Sequence, residues 1–479
     1  MKRILLVFSL ILFTIHCFGQ QYSQYNTGTL YDSFENPSRA SFTPDSSRKY
    51  AFNFFLPNFS VNSFLTGNSQ VPLKSRAFLG YYTMDNLKFG ENKFNRVNFN
   101  ANYYAIMFKI FSNLDGNTEM GISAQVKTEL RGLFSDESIA LFNGPTAFEN
   151  DHYQNIFNNS AIYQAYHQVS FTYREKINRQ LAVGFKLSAL MGIRYQKIDI
   201  ATSALDIDRL NDQAFLTMTG RYKMNYIPGS FTTHDYLPTF RNPGAAIGLG
   251  VSFKTRDAFN LQFNLKDLGF IHWSNRSYNY NFASMDTIPQ FSTGRRENNI
   301  YDAAKNVAKT NETRGGFITP TNSRFEASAN KTFWLDYGNQ FRYSPTLVLS
   351  KEVFFDGFTA ALVNPITKGN YTLSLTTAYN NYKLLSVGGQ FMIKTPNAEF
   401  FVGSERIIPT TRLAMASLRN QSQINKNPSY TSADLFLGVA FKFGPLIEHP
   451  LNASYVPTEQ KRGFISRIWR RIFGRDEDY

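Results

Sequence analysis

Two stretches of the sequence alternate apolar and polar residues for longer than a strand of a soluble sheet lasts. The alternation runs for 13 residues in Glu119–Arg131 and for 15 residues in Leu181–Tyr195. Strands of soluble sheets usually last about five or six residues, whereas a membrane-spanning strand needs ~9–11. The apolar face of each stretch carries no charged residue, as expected for a face in contact with lipid. The pattern therefore predicts strands of a transmembrane β-barrel.

Similar alternating runs occupy most of the chain after residue 48. Backbone groups in lipid find hydrogen-bond partners only if such a sheet closes on itself, and bacterial barrels have even strand numbers. We therefore predict an all-β fold, a closed antiparallel transmembrane barrel of about 14 strands within a range of 12–16. Two short runs, Asp356–Val363 and Glu399–Glu405, are uncertain strands. The remaining runs are Lys49–Leu65, Arg96–Phe111, Ala161–Arg174, Gln213–Tyr226, Ala245–Lys254, Ala258–Trp273, Ser323–Trp334, Gln340–Lys351, Tyr371–Tyr382, Leu384–Lys394 and Ser432–Phe443.

Longer segments between the runs are predicted to lie on the extracellular side, opposite short periplasmic turns. These segments are Phe134–Ser160, Ile227–Pro243, Asp286–Asn322 and Ile407–Tyr430, and within them Ser135–Leu141 and Asn299–Lys309 favour short helices. One residue departs from the alternation. His167 falls on the apolar face of its run, so either the register is interrupted there or His167 lies near the membrane interface.

The first 19 residues have the features of a signal peptide, which implies export. Lys2 and Arg3 precede an apolar stretch, Ile4–Ile15, and Cys17-Phe18-Gly19 provides a small-x-small cleavage site. Cys17 also allows a lipoprotein interpretation, although His16 stands where a lipobox needs a small residue. Cleavage after Gly19 leaves a chain without cysteine, which excludes disulfides, thiol catalysis and cysteine-bound metal. A soluble exported β protein remains an alternative to the barrel.

The charge balance points to anionic surroundings. The chain has a formal net charge of +14 at pH 7. We expect outer-membrane lipid and lipopolysaccharide phosphates as partners in a Gram-negative bacterium, and no nucleic acid, since no nucleic-acid-binding motif is present. Since no mature segment offers ~20 consecutive apolar residues, a helical membrane protein is excluded.

Two segments flank the predicted barrel, which spans residues 49–444. Residues 20–48 are polar and form either a hatch inside the barrel or a periplasmic segment. Residues 445–479 form a periplasmic tail in which Lys461–Arg475 is a basic amphipathic helix, followed by Asp476-Glu477-Asp478. This helix is expected to lie on the membrane surface or to bind a protein partner, through Arg467, Trp469, Arg470 and Arg471.

The signal peptide, the long alternating strands and Asn36-Pro37-Ser38 together resemble the FadL-like outer-membrane barrels. In that superfamily an Asn-Pro-Ala motif lies in a hatch that plugs a 14-stranded barrel. The resemblance implies that Asn36, Pro37 and Ser38 form a hatch motif, with Ser38 in place of alanine. The segments Tyr31–Pro37 and Asp267–Trp273 are more similar to an uncharacterised family of Bacteroidota outer-membrane barrels, related to the PorP/SprF-type barrels of gliding and secretion.

No motif of catalysis, cofactor binding or metal binding is present, so we predict no enzyme activity, no cofactor and no metal. Charged residues on the polar faces form candidate lumen sites: Glu119, Lys127, Glu129, Arg131, Lys186 and Arg194. They either form a solvated wall or select anionic solutes. The Gly248-Leu249-Gly250 sequence is explained by small residues facing the lumen.

Three functions are consistent with the sequence. The preferred one is a channel or transporter for small hydrophobic or amphiphilic compounds, which implies a small hydrophobic ligand. The first alternative is a structural barrel that anchors surface, secretion or gliding machinery through a periplasmic or surface protein partner. The second is an outer-membrane lipid-modifying enzyme. An open lumen favours transport, and a packed lumen favours a structural role.

Overall fold

The computed structural model describes residues 21–43, 45–84, 86–91, 93–111, 117–226, 232–338, 340–448 and 463–473. The predicted signal peptide, residues 1–19, and Asp476–Asp478 lie outside the described residues. The strand segments are β1 (Arg48–Phe54), β2 (Asn58–Thr66), β3 (Phe94–Phe111), β4 (Thr118–Ser135), β5 (His152–Gln154), β6 (Ser160–Lys176), β7 (Leu181–Asp208), β8 (Gln213–Met224), β9 (Pro243–Lys254), β10 (Asn260–Trp273), β11 (Tyr278–Pro289), β12 (Glu312–Arg314), β13 (Phe317–Pro320), β14 (Arg324–Asn330), β15 (Phe333–Trp334), β16 (Phe341–Tyr343), β17 (Thr346–Glu352), β18 (Phe358–Lys368), β19 (Tyr371–Asn380), β20 (Leu385–Lys394), β21 (Ala398–Ser404) and β22 (Tyr430–Leu446).

Helices are short and lie before, between or after the strands. They are α1 (Leu30–Glu35), α2 (Gln70–Leu79), α3 (Asp136–Ala140), α4 (Arg296–Ala308), α5 (Ile407–Ser417), α6 (Gln421–Ile424) and α7 (Phe464–Phe473), with 3-10 turns at Tyr22–Gln24, Leu141–Asn143, Pro145–Ala147 and Thr233–Tyr236. Thus α3 and α4 occupy the two loop stretches in which the sequence favours helices. Among the described residues, no helix is long and apolar enough to span a membrane.

The strand segments pair into one closed antiparallel barrel of 14 strands. Closure is made by β22, which pairs with β21 on one side and with β1 and β2 on the other. Several barrel strands consist of segments that lie end to end: β1 with β2, β8 with β9, β10 with β11, β12 with β13–β15, and β16 with β17. Each of the 14 barrel strands therefore has two neighbours, whereas the short segments β5 and β12 beyond the barrel pair on one side only.

The strand number is as predicted, but for a different reason than expected. The uncertain runs Asp356–Val363 and Glu399–Glu405 correspond to real strands, β18 and β21. Instead, two of the 15 runs belong to one strand, because β8 and β9 lie end to end against β7.

The outer face of the barrel is apolar and exposed, whereas the inner face is polar and buried. In β19, exposed Leu373 and Leu375 alternate with buried Ser374 and Thr376. An apolar outer wall around a closed sheet is the arrangement of a membrane-spanning barrel. Other exposed apolar residues of this wall are Ile122, Val169, Phe171, Leu187, Leu249, Phe263, Phe325, Leu347, Leu362, Phe391, Leu435 and Phe441.

The two ends of the barrel differ in the length of their connections. Short turns such as 177–180, 369–370 and 395–397 lie at one end, together with the start of β1 and the end of β22. We refer to this end as periplasmic, since short turns lie on that side of outer-membrane barrels. At the other end β7, β8 and β11 extend beyond the barrel, and α4 packs against β8 and β11. This extracellular sheet extends into the segment Asp286–Asn322, which the sequence predicts to be a loop.

Candidate functional site

Residues 21–47 before the first strand lie inside the barrel. We call these residues, without residue 44, which is not described, the N-terminal plug. Its polar side chains bond to inner-face residues of several strands: Ser23 Oγ lies 2.8 Å from Thr376 Oγ1, and Gln24 Nε2 donates to Gln390 Oε1 at 2.6 Å. The plug thus contacts the inner wall within the lumen.

Apolar side chains anchor the middle of the plug. Leu30 and Phe34 in α1 are fully buried, and they share a cluster with Tyr104 and Met107 of β3 and Phe436 of β22. Thr29 caps α1, because its side chain accepts a hydrogen bond from the Asp32 N–H group. This helix therefore presents its apolar side to the wall on both sides of β1.

Two buried ion pairs hold the plug backbone. In the first, Lys109 Nζ of β3 lies 2.8 Å from Glu119 Oε1 of β4, and neither side chain is more than 1% exposed. Lys109 Nζ also donates to the Ser33 carbonyl oxygen at 3.0 Å, and Ser41 Oγ donates to Glu119 Oε1 at 2.9 Å. We call this pair the first clamp, since both charged groups also bind the plug.

The second clamp repeats this arrangement on the other side of β1. Lys442 Nζ of β22 lies 2.6 Å from Glu399 Oε1 of β21. Lys442 Nζ donates to the Ser41 carbonyl oxygen at 2.8 Å, and Glu399 Oε2 accepts from the Leu30 N–H group at 2.8 Å. Each clamp places a lysine against a plug carbonyl and a glutamate against a plug N–H group or hydroxyl.

The predicted hatch motif lies on a platform of two glycines. Gly184 of β7 and Gly250 of β9 face each other across the strand pair. A Cβ atom on Gly184 would lie 2.0 Å from the Pro37 carbonyl oxygen, and one on Gly250 would lie 2.6 Å from Asn36 Oδ1. Ser38 Oγ lies 2.6 Å from Ser252 Oγ. Glycine is thus needed at both positions for the motif to approach the wall, whereas the role of the motif as a hatch stays a prediction.

We expect Gly184→Ala and Gly250→Ala to displace the motif, because the added methyl groups overlap plug atoms. Overpacking of this kind costs about 1–3 kcal/mol. Limited proteolysis of the folded barrel should then cleave residues 21–47 faster than in the wild type. Gly248→Ala is the matched control on the same inner face, where the nearest atoms to a new Cβ are 3.4 Å away. Equal cleavage of all three variants would contradict the close approach.

A cluster of charges surrounds Asp267 on the inner wall. Its carboxylate pairs with Lys127 of β4 and with Lys186 of β7, the latter at 3.4 Å, and Gln168 Nε2 donates to it at 2.8 Å. The cluster joins two of the predicted lumen charges through an aspartate that sequence reasoning did not place among the candidate sites.

Glu35 of the plug lies next to this cluster. Lys266 Nζ lies 3.1 Å from both Glu35 Oε2 and Glu326 Oε1. Burial raises the pKa of the Glu35 carboxyl, but the lysines around it, above all Lys266, lower the pKa by more than burial raises it. The net result is a pKa of about 2. Glu35 therefore stays ionised at neutral pH and attracts the plug to the basic wall.

Arg131 forms a second wall network near the extracellular side. Arg131 Nη1 lies 2.7 Å from Glu352 Oε2, and Arg324 Nη2 lies 3.4 Å from Glu352 Oε1. Glu129 Oε2 is 3.8 Å from Arg131 Nη2. Above the plug, a cavity of about 120 Å³ is lined by charged groups of both networks and of the plug.

The assignment of Arg194 to the lumen is wrong. A bulge in β7 shifts the register against β6, so that Ala165 pairs with Arg194 and Tyr166 pairs with Gly192. The extra residue reverses the alternation. Arg194 therefore lies on the outer face, 4.3 Å from the ring centre of Tyr226, while Tyr195 is buried against Trp273.

His167 stays on the outer face, as the alternation of β6 implies. Its Nε2 lies 2.7 Å from the carbonyl oxygen of Tyr236, in the segment between β8 and β9. The neighbouring bulge is in β7 rather than in β6.

The helix α7 lies against the outer face of β6 near its periplasmic end. Glu175 accepts hydrogen bonds from the Ile465 and Ser466 N–H groups at 2.8 and 3.0 Å, which places its carboxylate at the helix N-terminus. Phe464 and Ile468 are exposed. Arg467 and Arg471 are exposed and Trp469 is half-buried, whereas the side chain of Arg470 is not described. Binding of this helix to a membrane surface or a partner stays a prediction.

Among the described residues, no three His, Cys, Asp or Glu side chains come together in a way that could hold a metal ion.

A family model described as "Family of unknown function (DUF5723)" matches residues 44–405. The chain belongs to this family. No curated protein sequence matches it significantly.

Several solved barrels resemble this DUF5723 chain in structure. A Pseudomonas aeruginosa FadL homologue has a TM-score of 0.39 at 10% identity, with 88% of this chain and 95% of that chain covered. The Ralstonia pickettii toluene transporter TbuX has a TM-score of 0.38 at 8% identity, with 90% and 100% covered. The Pseudomonas putida toluene transporter TodX has a TM-score of 0.34 at 9% identity, with 89% and 96% covered. The closed strand pairing, rather than these similarities, establishes the barrel.

The sequence contained a signal for some of the site residues that were not predicted. Lys109, Glu399 and Lys442 each lie on the polar face of a run that was recognised as a strand, where any charged residue is a candidate lumen group. Their pairing with the plug depends on strands distant in sequence and left no local pattern.

Proposed function

We propose that this protein is an outer-membrane channel that its N-terminal plug keeps closed, and that small polar solutes pass when the plug moves. The observation that carries this proposal is the charged, polar inner wall on both sides of the plug. Above the plug lies the charged cavity described above, and below it lies a polar cavity of about 760 Å³. Displacement of the plug would join them into one water-accessible path.

The chemistry of the wall favours polar solutes over the hydrophobic or amphiphilic compounds expected from the sequence. The cavity above the plug is bordered by Lys127, Glu129, Lys266 and Asp267. An apolar ligand there would bury ionised groups without replacing their hydration, which is costly. A hydrated ion or a small charged molecule keeps these groups solvated.

Two features favour a plug that moves. Its covalent link to the described barrel is the chain that enters β1 at Arg48. It is also held by buried ion pairs, which are often no more stabilising than apolar side chains of similar size. A wall that meets water in one state and the plug in another needs such charged groups, whereas a permanently filled lumen could be apolar.

A structural barrel is the second candidate, and the packed middle of the lumen favours it. The apolar cluster around Leu30 and Phe34 is dense, and α7 offers exposed Phe464 and Ile468 to a partner at the periplasmic rim. In that case the plug would be a permanent core of the barrel.

A disulfide that locks the plug to the wall distinguishes these functions. Ser38 Oγ and Ser252 Oγ are 2.6 Å apart, close to the ~2.05 Å of a disulfide, so Ser38→Cys/Ser252→Cys should cross-link. Ser170→Cys/Ser188→Cys is the matched control: these hydroxyls are 2.9 Å apart, and both belong to the wall. Each pair is introduced with Glu119→Gln, which weakens the first clamp.

Conductance in planar bilayers is the measurement. We expect the reduced plug–wall variant to conduct and its oxidation to abolish conductance, while oxidation of the wall–wall control leaves conductance unchanged. Absence of conductance in the reduced variants, or unchanged conductance after oxidation of the plug–wall pair, would overturn the channel and favour the structural barrel.

A further inference from the structure

The cavity below the plug is lined by basic side chains and opens at the periplasmic end. We call this cavity of about 760 Å³ the periplasmic vestibule. None of the described residues that line it is acidic. Its basic residues are Arg39 of the plug and Arg174, Lys176, Arg179, Lys254, Arg342 and Lys394 of the wall.

These basic groups come from distant parts of the barrel and converge on one space. Arg174 and Lys176 end β6, and Arg179 lies in the following turn. Lys254 ends β9, and Arg342 belongs to β16. Five basic groups from three regions of the wall thus surround one space, whereas a run of charges on one solvated strand would face the solvent separately.

Part of this positive charge has no ion-pair partner among the described residues. Lys176, Arg179 and Lys254 form no ion pair with any carboxylate of the described residues, and Lys176 is repelled by the other two and by Arg174. Three of the other basic residues have carboxylates nearby: Arg39 lies 3.7 Å from Asp32, Glu119 attracts Arg174, and Glu399 and Asp32 attract Lys394. The vestibule is therefore a concave site of one charge sign, in which walls of low dielectric constant concentrate the field.

The dimensions and neutral groups of the vestibule suit a small ligand. Ligand pockets typically measure ~300–1,000 Å³, which includes this volume. Side chains such as Asn178, Asn260 and Thr332 also line it and add neutral hydrogen-bond donors. Arginine and lysine side chains around such a space bind oxyanions well.

We propose that the periplasmic vestibule binds a small solute with several oxyanion groups, phosphates or carboxylates, that enters from the periplasm. Bound anion relieves the repulsion around Lys176 and contacts Arg39, and hence the plug. Binding at this site does not require the plug to move, so this proposal can be tested independently of the proposed channel.

The test is calorimetric titration of the purified, folded barrel with tripolyphosphate, with citrate and with glucose as a neutral control. We expect saturable binding of tripolyphosphate or citrate that weakens with added salt, and no binding of glucose. The stronger of the two anions identifies phosphate or carboxylate as the preferred group.

The decisive variant is Lys176→Gln/Arg179→Gln/Lys254→Gln, which should weaken anion binding about tenfold. The matched control, Arg295→Gln/Lys305→Gln/Arg419→Gln, removes three exposed charges at the extracellular end and should leave binding unchanged. Arg342→Gln provides a second vestibule variant if the triple variant does not fold, and it should also weaken binding. Absence of anion binding by the wild type, or equal loss in vestibule and control variants, would overturn the proposal.

Discussion

Glu119→Gln is expected to release the plug from one side of the wall and to weaken plug docking by about 3–5 kcal/mol. The substitution leaves the Lys109 ammonium group buried without a counter-charge, at a site where the lysine is 1% exposed. It also weakens the hydrogen bonds that Ser41 donates to the carboxylate. Loss of hydrogen-exchange protection in residues 21–47, with the barrel strands still protected, is the measurement.

A second substitution at Lys109 provides the control for this prediction. Lys109→Met in the Glu119→Gln background removes the unpaired charge, so the double variant should lose less docking free energy than Glu119→Gln alone. Glu399→Gln should act like Glu119→Gln, because the second clamp has the same contacts. A plug that remains fully protected in both single variants would show that the ion pairs do not hold it.

Asp267→Asn is expected to destabilise the barrel itself by a similar amount, about 3–5 kcal/mol. It removes the carboxylate that forms ion pairs with both Lys127 and Lys186, so that both ammonium groups lose their direct partner inside the wall. The backbone should not change, because asparagine also tolerates the positive φ of 45° at this position. The denaturant concentration at the midpoint of unfolding is the measurement.

A second-site substitution again separates charge from shape. Lys186→Met in the Asp267→Asn background removes one of the two unpaired charges, and the unfolding midpoint should partly recover. If the single variant unfolds at the wild-type denaturant concentration, the cluster contributes nothing to the stability of the barrel.

The barrel was predictable because lipid constrains every second residue of a spanning strand. The alternation in Glu119–Arg131 matches the observed inner and outer faces of β4, and Glu119, Lys127, Glu129 and Arg131 all lie on the inner face. The pattern failed at Arg194, where one extra residue in β7 reverses the faces. A bulge changes the backbone without a clear mark in the composition of the strand.

The partners of the inner charges could not be predicted from the sequence. Glu119 and Lys109 lie on adjacent strands, but Arg131 pairs with Glu352, 221 positions away along the chain. Such pairs depend on the diameter of the closed barrel and on side chains that reach across the lumen. The two-glycine platform of Gly184 and Gly250 likewise has meaning only once the plug is in place.

The contacts of the plug join residues that lie far apart along the chain, and this separation constrains how the barrel is assembled. The hydrogen bond from Ser23 to Glu405 joins residues 382 positions apart, and that from Lys442 to Ser41 joins residues 401 positions apart. Contacts of such long range form slowly, since the intervening chain must first be ordered. The second clamp needs β21 and β22, whose residues bind Leu30 and Ser41 of the plug across 369 and 401 positions of the chain. The plug can therefore make all of its observed contacts only when these C-terminal strands are in place, and a fully docked plug marks a barrel whose last strands have formed.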